Sequence, residues 1–208
     1  MPRSGGDSDR KLLDAARSMI GRTGIRGLRL RAVARRAGVN LGLFHYHFGT
    51  KRAFVGRLLQ DTYEEFFGRL RLESGGGGPP AERLRRALLV FGKFARDQRK
   101  LFVALLAEAL QGDTRVLSYL ETNIPRHVRV VADLVAEGQR AGGIKPLPLP
   151  VAVSFALGSM GMPNLVITAV ERGGSAAVRR RLRAWSGDFL SDRAIERRAE
   201  LVLSALKA

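Results

Sequence analysis

At 208 residues and 22.8 kDa the chain can bury a core without covalent staples, and its lack of cysteine excludes disulfides, thiolate metal sites, iron–sulfur clusters and cysteine nucleophiles together. Its 45% hydrophobic content is ordinary for a globular protein, but 36 Lys and Arg against 19 Asp and Glu give a net charge of +17, a surplus that folding does not require. That surplus points to an anionic partner, and it is concentrated at the front: residues 1–60 carry 13 basic and 3 acidic side chains.

The first dozen residues are Pro, Gly, Ser and charge, without the apolar run of a secretory signal, so a cytoplasmic location is expected. Leu12, Leu13, Ala16, Met19 and Ile20 then repeat at three and four residues behind Ser8, an expected N-cap, and Gly21 and Gly24 follow. This spacing predicts a first amphipathic helix. Arg31 to Ala37 reads as a short second helix closed by Gly38, and Asn40 as the cap of a third over Leu41 to His47. Thr50 can cap a fourth, in which Phe54, Leu58, Leu59, Tyr63, Phe66, Phe67 and Leu70 keep helical spacing. It is expected over 51–72, joining two halves of the molecule.

Residues 73–82 contain four consecutive glycines and two prolines and are expected to be a flexible loop. Beyond them Leu84, Leu88, Phe91 and Ala95 mark one helix, and Leu101, Phe102, Leu105, Leu106 and Ala109 another. Val116 to Val135 is a longer one that Pro125 should kink or split, with Gly142 and Gly143 at its end. Pro146 to Val170 is the only long uncharged stretch, but Pro148, Pro150, Pro163 and Asn164 interrupt it, so a helix in a core or dimer interface is expected rather than a membrane span. Arg172 to Asp192 is basic and ambiguous, and Ile195, Ala199, Val202 and Leu206 form the stripe of a final helix. No strand-length alternation or internal repeat occurs, so the predicted fold class is all-α.

Two short helices around Gly38 match a helix-turn-helix. Gly38 can take the left-handed backbone that reverses the chain, Val39 can plug the turn, and Ala34 is small where two helices cross closely. The third helix is short enough to lie in a major groove about 12 Å wide. Phe44 and Phe48 suit the core, while Arg3, Arg10, Arg29, Arg31, Arg35 and Arg36 surround the unit as a phosphate-facing or merely solvated basic surface.

Across residues 9–59 the sequence resembles the TetR family of bacterial transcriptional regulators. Leu13-Asp14-Ala15-Ala16 with Gly24 is similar to the family's first helix, and Val33-Ala34-Arg35-Arg36-Ala37-Gly38-Val39-Asn40 to its second helix and turn. Leu41-Gly42-Leu43-Phe44-His45-Tyr46-His47-Phe48 with Thr50-Lys51 is similar to its recognition helix and the start of the fourth. Two positions depart from the pattern. Arg29 stands where the family commonly has a capping Thr, and His45 where it commonly has Tyr. The resemblance implies an N-terminal three-helix DNA-binding domain (8–52) and a helical effector-binding and dimerisation domain (53–208). It places Tyr46, His47 and Lys51 at phosphates with Arg29, Arg31 and His45 nearby, Asn40, Leu41 and Leu43 toward the bases, and Gly42 where DNA comes close. Tyr46 or His47 could instead pack the first helix against the fourth.

The implied function is a sequence-specific regulator, in this family usually a repressor, that binds double-stranded operator DNA as a homodimer and is released by a small effector. Phe91, Phe94, Phe102, Leu106, Leu120, Phe155 and Met160 would line an apolar effector pocket, with His127 and Asn164 as orienting polar groups and Arg126 beside them; the same apolar side chains would also serve as filled core. The dimer is expected to use Val151 to Val170 and Ile195 to Leu206. No nucleophile elbow, phosphate loop or paired acid motif points to an enzyme, and no cofactor is expected. His45 and His47, two residues apart, point in different directions along a helix, so no histidine metal site is expected. The competing reading is a peripheral membrane or lipid-handling helical protein that uses its basic surface for anionic headgroups.

Overall fold

A computed structural model describes residues 4–208, with side chains from Asp7 onward; Arg3 lies outside the described residues. The described chain forms ten helices and no strand: α1 (Ser4–Thr23), α2 (Leu30–Ala37), α3 (Leu41–Phe48), α4 (Lys51–Gly75), α5 (Pro80–Asp97), α6 (Arg99–Leu110), α7 (Thr114–Arg140), α8 (Leu149–Gly173), α9 (Ala176–Leu190) and α10 (Asp192–Leu206). The all-α expectation holds.

Two cores meet on α4, which at 1.5 Å per residue is about 37 Å long. Its first turns put Phe54, Leu58 and Leu59 into a core with Leu12, Ala16, Ile20, Val33 and Phe44 of α1 to α3. Its later turns put Tyr63, Phe66 and Leu70 into a second core around α5, which packs against α7, α8 and α10. Leu101 and Leu105 of α6 and Val116 of α7 belong to the first core. Helices α6 and α7 therefore reach into the N-terminal unit.

Several expectations need correction. Ser8 lies inside α1 rather than capping it; the ion pair of Asp7 and Lys11, 2.6 Å apart at i,i+4, supports turns before the apolar stripe begins. The flexible loop expected over 73–82 contracts to 76–79, because α4 runs on to Gly75 and α5 starts at Pro80. Arginines of α5 hold the end of α4: Arg83 Nε donates to the Ser74 carbonyl (2.8 Å), Arg86 Nε to that of Glu73 (2.9 Å), and Arg86 also reaches the Gly77 carbonyl (2.9 Å). Those carbonyls are the groups a helix end leaves without partners. Pro125 does not split α7; it lies on the exposed side, where water can take the carbonyl it leaves unpaired. The ambiguous basic stretch is α9, capped by Ser175 and without a buried side chain.

The stripe of α10 also needs a new assignment. Ile195, Ala199, Val202 and Leu206 are buried at 0–2% exposure within their own chain, so they are core residues and not the interface expected of them. The C-terminus is closed by a bridge between Ile144 and Lys207, with Lys145 N–H donating to the Leu206 carbonyl at 2.9 Å. On α8 and α10 the exposed large apolar side chains are Val151, Phe155, Met162 and Val166, on the outer face of α8, and Leu201 of α10. Among the described residues α8 is the one helix long and apolar enough to cross a membrane, yet its other face is buried against α5, α6 and α7.

Candidate DNA-binding face and ligand cavity

The turn between α2 and α3 is built by backbone geometry. Gly38 sits at φ 65°, and its N–H and that of Val39 return to the carbonyls of Arg35 (3.3 Å) and Ala34 (3.0 Å), satisfying the end of α2. Arg29 gives α2 no side-chain cap, as its replacement of Thr implies. Asn40 Oδ1 accepts from Gly42 N–H at 2.7 Å, and Thr50 Oγ1 from Ala53 N–H at 3.1 Å, so both predicted caps form. Phe44 is fully buried and meets Phe48 and Phe54 with ring centroids 5.5 and 4.9 Å away. This anchor fixes the rotation of α3 and turns Gly42, Leu43, His45 and Tyr46 outward.

Tyr46 is 83% exposed and Leu43 42%, so both side chains stand open to a partner. Arg29, Arg31 and Asn40 are exposed too, and Leu41 is half-buried. His45 Nδ1 lies 3.2 Å from the Gly49 carbonyl. Three residues are less free than the motif alone implies. His47 Nδ1 is 3.0 Å from Asp9 Oδ1 and so reaches α1 from α3, rather than packing α1 against α4 as the alternative had it. Lys51 Nζ donates to the Arg26 carbonyl at 2.8 Å, and burial draws its ammonium below the usual lysine range. Arg36 Nε donates to Ser18 Oγ at 2.8 Å.

In the second half a cavity of about 270 Å³ opens between α4, α5, α6, α7 and α8. Phe91, Phe94, Phe102, Leu106, Leu120 and His127 line it together. Phe155, Met160 and Asn164 do not. Phe155 is 45% exposed on the outer face of α8. Met160 is buried beside Gly92, so close that a Cβ there would lie 2.6 Å from its Cε. Asn164, one turn on, is buried with Met160 and donates its side-chain amide to the Met160 carbonyl at 2.9 Å. Arg126 is engaged outside, in an ion pair with Glu64 (2.6 Å) and over the Phe67 ring (4.2 Å). Tyr63, Phe66, Tyr119 and Asn123 also line it and were not named for it, Tyr63 and Phe66 having shown only as part of an apolar stripe; Ala95, Leu105, Ile124, Gly161 and Leu165 make up the rest.

The two sites are physically joined. Glu108 on α6 is 6% exposed, and its carboxylate lies 2.6 Å from Arg26 Nε in the turn between α1 and α2. That Arg26 also offers its carbonyl to Lys51 at the start of α4. One turn before Glu108, α6 presents Leu105 to the cavity. A cleft of about 620 Å³ lies along this junction, with Arg26, Lys51, Arg52 and Arg115 around Ile25, Val55 and Leu59, and it shares Tyr119 with the cavity.

A short helix held outward by a buried aromatic anchor, behind a left-handed glycine turn and inside a basic N-terminal unit, defines a helix-turn-helix DNA-binding protein. The sequence profile of "Bacterial regulatory proteins, tetR family" matches residues 12–58. The repressor KstR of Rhodococcus jostii is 25% identical over 176 residues, covering 83% of this chain and 78% of KstR. The structure of the ketosteroid transcriptional regulator KstR2 of Mycobacterium tuberculosis superposes with a TM-score of 0.68 at 21% identity, covering 96% of this chain and 95% of that one. That of FadR from Bacillus subtilis in complex with stearoyl-CoA gives 0.68 at 16% identity, covering 95% and 98%. The match over residues 12–58 and the similarity to KstR support a DNA-binding transcriptional regulator of the tetR type, and the membrane-protein alternative is not favoured. The family is one of regulators, which are generally not enzymes.

Proposed function

We propose that this protein is a dimeric cytoplasmic repressor that holds operator DNA through residues 8–52 and is released by an apolar ligand bound within 53–208. The observation that carries the reading is the tie from α6, a wall of the apolar cavity, through buried Glu108 to Arg26 and Lys51 beside the helix-turn-helix. A ligand that favours another position of α6 would move the mount of α3 and α4, and its differential affinity sets how far DNA binding falls.

On DNA, Arg29, Arg31, His45, Tyr46 and Lys51 take phosphates, while Asn40, Leu41 and Leu43 meet base edges where Gly42 permits close approach. His47 acts from behind, holding α3 to α1 through Asp9. Two copies meet through the outer face of α8, where Val151, Phe155, Met162 and Val166 form a continuous exposed apolar stripe. The apolar ligand class draws support from the cavity's aromatic lining. It also draws support from two structural neighbours, one described as a ketosteroid regulator and one solved with stearoyl-CoA.

Selection of binding sites from random duplexes, followed by titration, tests the DNA assignment. Lys51→Ala and Tyr46→Phe should weaken selected and random duplexes alike, whereas Leu43→Ala should change the selected sequence. Unchanged affinity of Lys51→Ala for both duplexes at moderate salt would remove α4 from the DNA contact.

A further inference from the structure

The hydrogen-bond donors around the cavity can be accounted for one by one, resting on the reading of this cavity as the effector site. Tyr63 has a single hydroxyl proton. It goes to the Asn123 carbonyl, 2.6 Å away, and burial pushes the phenol up to about 12, so it stays protonated. His127 Nδ1 lies 3.3 Å from the same hydroxyl oxygen, which has only a lone pair left to offer. The contact is attractive only if Nδ1 brings the proton. Burial beside Phe66 and Phe91, with ring centroids 5.8 and 5.7 Å away, holds the imidazole at about 4, so near neutral pH it carries one proton and no more. With that proton on Nδ1, Nε2 is left with its lone pair as an acceptor.

The remaining polar groups of the wall are in the same condition. Asn123 spends both amide protons, on Gln60 Oε1 (3.3 Å) and the Tyr119 carbonyl (2.9 Å). The Tyr119 hydroxyl gives its proton to the Leu59 carbonyl at 3.2 Å. Aromatic and aliphatic side chains make up the rest.

We propose that the cavity reads its ligand through His127 Nε2 acting as an acceptor, and so selects an apolar molecule carrying a hydroxyl over the matching ketone. A hydroxyl on the ligand donates to Nε2. A ketone in its place sets two lone pairs against each other in an apolar site and finds no side-chain donor free elsewhere in the wall, which leaves both acceptors without a protein partner.

The full-length protein tests this in two independent ways. Nitrogen-15 NMR of the labelled imidazoles should put the His127 proton on Nδ1 in the absence of any ligand; a proton on Nε2 overturns the proposal. Calorimetric titration with cyclododecanol and cyclododecanone, a matched pair, should show the alcohol binding at least about tenfold more tightly. His127→Leu should bring the two affinities together. Equal or tighter binding of the ketone by the wild-type protein overturns the selection rule. If neither compound binds while the proton sits on Nδ1, the reading of this cavity as a ligand site falls, and the rule with it.

Discussion

The two ends of this molecule handle polarity in opposite ways. On the α3 face, caps and turn satisfy the backbone locally, and side chains such as Tyr46, Leu43 and Arg31 are left outside with no internal task. Around the cavity the hydroxyl and side-chain amide protons of Tyr63, Tyr119 and Asn123 all go to backbone carbonyls or to the Gln60 side-chain oxygen. A surface with unspent donors and cations is suited to a phosphate backbone that accepts at every step. A cavity with no spare donor is suited to apolar ligands and discriminates by what it cannot satisfy.

The sharpest separation of core from surface comes from two charge insertions. Val202→Arg should unfold the chain, losing about 4 kcal/mol or more, because Val202 is 2% exposed in the core of α5, α8 and α10. Met162→Arg, on a residue 57% exposed, should leave denaturant stability nearly unchanged while converting a dimer to a monomer in ultracentrifugation. A folded Val202→Arg protein would contradict the inward assignment of α10.

Acid should act on the cavity half through His127. Its folded pKa, about 4, lies below the usual 6.5, so between these values the unfolded chain binds the extra proton. The contribution is complete above pH 6.5 and is lost as pH falls toward 4, amounting to about 2–3 kcal/mol. Urea melts at pH 7.5 and 4.5 should therefore differ more for the wild type than for His127→Leu.

Glu108→Gln removes the charge that ties α6 to Arg26 while keeping the side chain's shape. It should cost about 1 kcal/mol of stability in thermal melts. It should also reduce the factor by which a bound ligand weakens operator binding, measured by fluorescence anisotropy, with ligand affinity itself little changed. The smallest effect belongs to the caps: Asn40→Ala should destabilise by about 1 kcal/mol and lower DNA affinity through fraying of α3.

Legibility in the sequence follows the same division. The helix-turn-helix could be placed because its determinants are local: Gly38, Asn40 and Thr50 act within three residues of where they stand, and all three do what their side chains imply. His47 was ambiguous because its partner Asp9 lies on another helix. For the cavity, composition identified the aromatic residues but not which way α8 faces. Phe155, Met160 and Asn164 lie on one nearly all-apolar helix, and an apolar residue on such a helix carries no mark of its side. The stripe of α10 was visible, but whether it met its own chain or a second copy depended on α5, some hundred residues away. The loop over 73–82 was drawn too long for a similar reason. The arginines that extend α4 are on the next helix.

The central claim is that the cavity and the DNA face are coupled. It is tested most directly by measuring one coupling from both sides: operator affinity with and without a cavity ligand, and ligand affinity with and without operator. The account predicts that the ligand weakens operator binding by a factor on the order of 5- to 150-fold and that operator weakens ligand binding by the same factor. A ligand shown by Phe102→Trp to occupy the cavity, yet bound equally well by the free and the operator-bound protein, would contradict it.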